Sequence, residues 1–320
     1  MTKGTIVMVL DCGGGTVDIT VHRLNCNPDE QFLCEEILPS SGGCEWGSKY
    51  VDSYFEKFLG EFFGEELFEK YKKNATVRLD VLKHFEMLKR KFTGGDDRTR
   101  LQLSYLGEEL STQKLTEMVD AFNAANPQLA VKKRGASAID MSPALMRSFF
   151  EPLFEKIKAK VDELLEKATQ KESSVDFVFM VGGFSESPYL KNEIKKKYES
   201  EKLHVLVPHR PQVSVIRGAC MFGLNPRSIT SRISKKTYGI NTLTTFDPTK
   251  HPEEKKVVIE GEDFCEDVFD AFVRKGEAIS IDEVHTKTYC PVRARQTVMR
   301  IIFYCCDKES ANFIDDEGVS

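Results

Sequence analysis

Asp11, Gly13, Gly14, Gly15, Thr16 and Asp18 crowd into one short run, VMVLDCGGGTVDITVHRL at 7–24. Glycines carry no Cβ and tolerate positive φ, so three in succession let a backbone approach an anion closely. Asp11 and Asp18 bracket the loop and could hold a hydrated Mg²⁺, an ion that keeps several waters and takes few protein oxygens. The Thr16 hydroxyl could reach a phosphate oxygen. The run therefore reads as half of a nucleotide-phosphate clamp, and its competitor is a plain glycine-rich hairpin. Two features favour the clamp. Asp11 ends the apolar run Ile6–Leu10, where a charge needs a cation, hydrogen bonds or water. Beyond the turn, Val17, Ile19 and Val21 alternate with Asp18, Thr20 and His22, so the loop joins two strands. Walker loops and dinucleotide fingerprints feed into helices instead, and both are excluded.

Two other groups could complete such a site. Gly182 and Gly183 follow the apolar run Val175–Val181 and precede a helix pattern after Pro188. Ligands collect at strand ends of this kind, where N–H groups and a helix dipole face a crevice. Glu86, Lys89, Arg90 and Thr93 have helical spacing that predicts one shared face. Arg can stack on an adenine, Lys and Glu can bind ribose hydroxyls, and Thr can reach a ring nitrogen. The alternative is a solvent-facing stripe of salt bridges.

The elements that must position these residues follow from periodicity. Strands are expected at Thr5–Leu10, Val17–Leu24 and Phe32–Leu38, an antiparallel meander whose second connector is 25–30. Val51, Tyr54, Phe55, Phe58, Leu59 and Phe62 mark one helix face. Further helices are expected at Thr76–Phe92 and Ser111–Asn123, with a short β-run at Thr99–Tyr105 between them. Asp140, Ser142 and Pro143 form a helix start, and Pro152 should kink or split the stripe from Met146 to Leu164. The strand Val175–Val181, a helix, the strand Leu203–Val207 and the helix Val213–Phe222 follow. This order gives an α/β fold: a mixed sheet covered by helices, with a helical insertion. Beyond Pro226, β-runs at Val257–Ile259, Val268–Val273, Val284–Tyr289 and Thr297–Tyr304 suggest a second, all-β domain.

Bulk composition narrows the function classes. With 320 residues, 41% hydrophobic and 30% charged, the chain is expected to fold into two compact domains. Forty-five basic against fifty acidic residues leave a net charge of −5, which gives no sign of a nucleic-acid partner. No apolar stretch has membrane-spanning length. Nine cysteines without a C-x-x-C pair give neither a disulfide framework nor a zinc signature, and a reducing cytoplasm is expected.

The residues now carry a resemblance. VLDCGGGTVDITV, FVFMVGGFSESPYL and VSVIRGACMFG resemble, in order, the second phosphate motif, the adenosine motif and the second connecting helix of the 70-kilodalton heat-shock proteins, members of the actin-like ATPase superfamily. Glu86, Lys89, Arg90 and Thr93 match that family's Glu-x-x-Lys-Arg-x-x-Ser helix, with Thr for Ser. KTYGINTL, AFVRKGEAI and TKTYCPV resemble the start of its β-sandwich substrate domain, and the nearest branch is the divergent 12A/12B-like proteins.

The resemblance implies the ribonuclease H-like, actin-like second lobe over 1–224, with core 1–39 and 139–224 and insertion 40–138. A truncated β-sandwich-like substrate domain is then expected over 225–320. It implies ATP or ADP with Mg²⁺ as cofactors, and adenine nucleotide and unfolded client proteins as partners, in a chaperone-like stress-response role. Asp11, Thr16 and Asp18 would be catalytic, ordering the attacking water and the γ-phosphate, and Asp11 and Asp18 would hold the metal through water. Gly13, Gly14, Gly15, Thr16, Glu86, Lys89, Arg90, Thr93, Gly182 and Gly183 would bind the nucleotide.

Departures qualify these implications. The family's first phosphate loop, Asp-x-Gly-Thr-Thr, is nowhere in the 320 residues. Phe184, Glu186 and Gln212 alter the adenosine end, and Trp46-Gly47-Ser48 replaces Leu-Gly-Gly. The expectation is thus a fragment with weak nucleotide binding and little hydrolysis. A non-catalytic interaction module on the same fold is the alternative. A sugar or acetate kinase is disfavoured, because no substrate-side catalytic aspartate can be assigned.

Overall fold

The computed structural model describes residues 4–26, 32–171, 173–293 and 295–320. Most of the connector expected at 25–30 lies outside the described residues. In chain order the strands β1 (Thr5–Cys12), β2 (Val17–Cys26) and β3 (Phe32–Cys44) lead into helices α1 (Lys49–Lys73) and α2 (Ala75–Lys91). Then come β4 (Thr99–Gln102), α3 (Thr112–Ala125), β5 (Val131–Arg134), β6 (Ala138–Met141), α4 (Pro143–Ser148) and α5 (Glu151–Gln170). The middle closes with β7 (Phe177–Val181), α6 (Pro188–Tyr198), β8 (His204–Leu206) and α7 (Pro211–Leu224). Six strands follow: β9 (Ile229–Ile233), β10 (Thr237–Thr245), β11 (Lys256–Ile259), β12 (Glu262–Val273), β13 (Ala278–Ser280) and β14 (Phe303–Cys306). The described residues form two compact units, one of 6–20, 41–171 and 173–224, the other of 4–5, 21–26, 32–40, 225–293 and 295–320.

In the first unit, β1 pairs in parallel with β7 from Val7↔Phe177 to Asp11↔Val181, and β7 pairs in parallel with β8. Met8, Leu10 and Cys12 are fully buried, as are Val178 and Met180, the near-continuous apolar pattern of parallel strands covered on both faces. Asp176 fixes the register at the bottom of the pair. Its carboxylate accepts from the Ile6 N–H at 2.7 Å while its own N–H donates to the Ile6 carbonyl at 2.9 Å. The side chains therefore reach the top of β1 and β7 at one level, where Asp11 and Val181 sit opposite each other.

The helical stripe from Val51 to Phe62 buries Val51, Phe55, Phe58, Leu59 and Phe62. Phe55 stacks on Phe85 of α2 at 3.7 Å between ring centroids, and Phe58 meets Phe122 of α3 edge-on. Helix α1 runs further than its stripe, with Gly64 at φ 71° interrupting it. The expected split near Pro152 forms: α4 ends before Phe149, and Pro152 occupies the first turn of α5, where a missing N–H costs nothing.

The segment before α4 differs from its expectation. Asp140 is not a helix-capping residue; it lies in β6, the centre of a three-stranded antiparallel sheet ordered β4-β6-β5. Its buried carboxylate takes the Nε of Arg100 at 3.0 Å and of Arg134 at 2.5 Å, leaving Ser142 alone to cap α4 by accepting from the Leu145 N–H at 3.1 Å. Four-residue strands offer too few repeats for a period to register, and β4 lies about forty residues from its partner β6.

In the second unit β9 pairs in parallel with β3 and antiparallel with β13, while β11, β12, β10 and β14 form an antiparallel sheet in that order. The buried Glu36 carboxylate holds β9 by accepting from the Ile233 N–H at 2.8 Å. Two expected β-runs are corrected here. Val284–Tyr289 forms no strand, and of Thr297–Tyr304 only the last two residues enter β14. Side chains rather than a ladder tether 284–289: the Tyr289 hydroxyl donates to Asp270 at 2.7 Å and Lys287 donates to the Ala271 carbonyl at 2.6 Å. Among the described residues no helix is long and apolar enough to cross a membrane.

Phe55 is fully buried at the centre of the aromatic layer. Phe55→Ala is expected to lower unfolding free energy by about 3–5 kcal/mol, read from the denaturant midpoint of the chain.

Candidate functional site

The triglycine turn sits where β1 ends and β2 begins, closed by the Gly13 N–H donating to the Thr16 carbonyl at 2.9 Å. Its carbonyls face the start of α1. Gly47 donates to Gly15 O at 3.2 Å, Ser48 to Gly13 O at 3.2 Å, and Lys49 to Gly14 O at 2.9 Å. This approach depends on a glycine at 47, because a Cβ there would stand 2.4 Å from the Gly14 oxygen. None of Gly13, Gly14 and Gly15 has positive φ. Their value is the absence of side chains rather than left-handed backbone: nothing lies within 4 Å of a Cβ built on Gly14. Among the described residues the N–H groups of Gly14, Gly15 and Thr16 have no hydrogen-bond partner. Three donors on one open loop suit an anion.

Asp11 and Asp18 flank these donors in different states. Asp18 is occupied, accepting from the Gly43 N–H at 2.7 Å and from the Thr16 hydroxyl at 3.0 Å. Thr16 thus points at Asp18 in this structure. The Asp11 carboxylate accepts no hydrogen bond among the described residues, and burial, reinforced by the negative charge of Asp18, raises its pKa above 3.8. Two carboxylates without a cation between them fit a divalent ion. No cluster of three His, Cys, Asp or Glu side chains completes a direct cage among the described residues, so a metal here would be held through its waters, as suits Mg²⁺. Cys12, fully buried beside Asp11, is inert: burial pushes its thiol up to about 12.

The strand end beyond β7 packs directly against this carboxylate. Gly182 adopts φ 83°, and a Cβ on it would lie 2.3 Å from Asp11 Oδ1 and 2.4 Å from the Cys12 carbonyl. Gly183 is exposed, with open space where a Cβ would stand. Ser185 ties the turn back by donating to the Val181 carbonyl at 2.6 Å, and Ser187 caps α6.

Glu86, Lys89 and Arg90 on α2 line the same cavity of about 480 Å³ as Gly14, Ser48, Gly183, Phe184, Glu186 and Gln212. That helix face is a salt-bridged stripe and a cavity wall at once. Lys89 is 5% exposed and donates to Asp52 at 2.7 and 2.9 Å, with Glu86 at 2.5 Å. Arg90 donates through Nε to Glu86 at 2.7 Å. Burial opposes ionisation of Glu86, but the bonds from Lys89 and Arg90 prevail and hold its carboxyl below the ordinary value. For Asp52 the balance reverses, and burial keeps its carboxyl above the ordinary value despite Lys89.

Thr93 is corrected. Helix α2 ends at Lys91, so Thr93 leaves the shared face; it is exposed and accepts from the Gly95 N–H at 3.4 Å. The cause is the turn itself, where Gly94 at φ 83° packs on the Tyr189 ring and its carbonyl accepts from Arg147 at 2.9 Å. Three residues reach the site without having been picked from spacing: Ser48, Lys49 and Asp52. Only the helix register linking Asp52 to Ser48, one turn apart, could have hinted at them.

Gly182→Ala is expected to cost about 3 kcal/mol of stability, since it adds both backbone strain and a clash with backbone oxygen. Equilibrium unfolding in urea measures it. Asp11→Asn should act oppositely at neutral pH. The folded chain retains the Asp11 proton to higher pH than the unfolded chain, so stability is lost as pH rises from 3.8 through the raised value. The Asn variant is expected to have the higher midpoint at pH 7, with the difference vanishing near pH 3 in a pH series of melts.

Comparison with known proteins adds the ancestry of this arrangement. The family described as Hsp70 protein matches residues 1–224. Across its whole length the chain is 32% identical to heat shock 70 kDa protein 12A of Mus musculus and 33% identical to heat shock 70 kDa protein 12B of Homo sapiens, spanning 46% of each. Chaperone protein DnaK of Thermoplasma volcanium is 26% identical over 195 residues, 60% of this chain and 27% of DnaK. With residues of its triglycine loop, diglycine strand end and Glu86–Arg90 helix face lining one cavity, the chain belongs to the Hsp70 family, in its divergent 12A/12B-like branch.

Proposed function

We propose that this chain binds adenine nucleotide with Mg²⁺ in the cavity of its actin-like ATPase lobe. One observation carries the reading: Gly14, Gly183 and the Glu86–Lys89–Arg90 face, three segments far apart in sequence, line a single space of about 480 Å³. That volume suits a nucleoside. The adenosine would lie between Phe184 and Arg90, with Glu86 and Lys89 toward the ribose. The phosphates would run along the triglycine loop, whose N–H groups donate to their oxygens. Asp11 and Asp18 would orient the water shell of the ion, and Asp11, with a free carboxylate oxygen, would position a water for in-line attack. The ion supplies charge neutralisation at the phosphates.

Binding is proposed to be weak and hydrolysis slow. Gly14 and Thr16 are exposed, so phosphates on this loop stay largely in water. Lys89 and Arg90 already carry carboxylate partners, which reduces what they offer a ligand. Client proteins are proposed as partners of the all-β part of the chain, where β10 and β12 border a cavity of about 750 Å³ lined in part by Phe264, Tyr289 and Met299. A non-catalytic interaction module is the second reading, favoured by the buried Phe184 at the adenosine end and by the ion pairs of Lys89.

Calorimetry decides between them. MgADP is expected to bind with Kd of about 0.1–1 mM, and Asp11→Asn to abolish the Mg²⁺-dependent part. No heat and no thermal shift at millimolar MgADP would reject nucleotide binding and leave the interaction module.

A further inference from the structure

We propose that Lys49 is the cation that reads the polyphosphate, giving the site its preference for ADP and ATP over adenosine; the inference rests on the nucleotide reading above. Nothing in the spacing of the motifs marks this residue. The fold brings it in, because the Lys49 N–H donates to the Gly14 carbonyl at 2.9 Å and so fixes the start of α1 on the loop. Its ammonium then lies beside the loop: the position of a Cβ built on Gly15 is 3.7 Å from Lys49 Nζ.

The charges around the cavity single it out. Lys89 is held by Asp52 and Glu86, and Arg90 by Glu86, with Glu186 also nearby. Lys49 forms no ion pair among the described residues; its ammonium rests over the Tyr50 ring at 5.2 Å and is exposed. An ammonium on a four-carbon stem can swing to a nearby anion without dismantling an ion pair. The partnerless N–H groups of Gly14, Gly15 and Thr16 occupy the same loop. A cation without a carboxylate partner and three N–H donors therefore stand at the loop, beside Asp11 and Asp18, whereas the cations at the α2 end already carry carboxylate partners. A diphosphate gains from both the N–H groups and the ammonium, whereas adenosine gains from neither.

Calorimetric titrations of ADP and of adenosine, each into the parent chain, Lys49→Ala and Lys49→Arg, test this. Lys49→Ala is expected to weaken ADP about fivefold, the range of an exposed ion pair, and to leave adenosine unchanged. Lys49→Arg should retain ADP affinity. The parent's ADP affinity should also fall more steeply with added salt than that of the Ala variant. Unchanged adenosine binding verifies that the variant is folded. Equal ADP affinity in parent and Ala variant overturns the role of Lys49 while leaving the nucleotide site standing. Absence of binding by either ligand to the parent overturns both.

Discussion

The candidate site depends on backbone packed against backbone. The N–H groups of Gly47, Ser48 and Lys49, leading into α1, can sit on the carbonyls of the triglycine loop only because Gly47 has no Cβ. Once those carbonyls are taken, the opposite groups of the same peptides, the N–H donors of Gly14, Gly15 and Thr16, are what the loop has left for a ligand. Gly182 does the equivalent on the other side, letting the end of β7 lie against Asp11 and Cys12. Side chains at either position would push the three walls of the cavity apart, so the glycines set its dimensions before any charge acts.

Electrostatics then divides the cavity into two ends. At the α2 end the charges compensate one another within the protein: Lys89 sits between Asp52 and Glu86, and Arg90 leans on Glu86. Partly buried ion pairs of this kind hold geometry more than they add stability, because desolvation offsets most of the attraction. At the loop end the acids are not compensated. Asp11 carries its charge against both burial and Asp18, a cost that a hydrated cation would relieve.

Much of the fold was legible in the chain. The alternation after the glycines, the stripe from Val51 to Phe62 and the apolar run ending at Val181 each carry their own period, and each formed. Of the three-stranded β4-β6-β5 sheet only β4 was legible, as the run from Thr99; β5 and β6 were not, because strands of four residues repeat too little and Asp140, polar yet buried between Arg100 and Arg134, reads as a cap. Thr93 failed for a neighbouring reason. Helical spacing extends a face only as far as the helix, and the Gly94 turn against Tyr189 ended α2 first.

The sequence by itself determined which chemistry was present: acids bracketing three glycines, a diglycine at a strand end, and a Glu-x-x-Lys-Arg helix, along with the family these motifs resemble. Those are local properties, written in residue type and spacing. Tertiary structure alone decided which of them share a cavity, that Lys89 faces Asp52, that Thr16 turns to Asp18, and that Lys49 stands beside the triglycine loop. Apart from the local Thr16–Asp18 bond, such choices depend on contacts between residues tens to more than a hundred positions apart, and no local period encodes a distance through space.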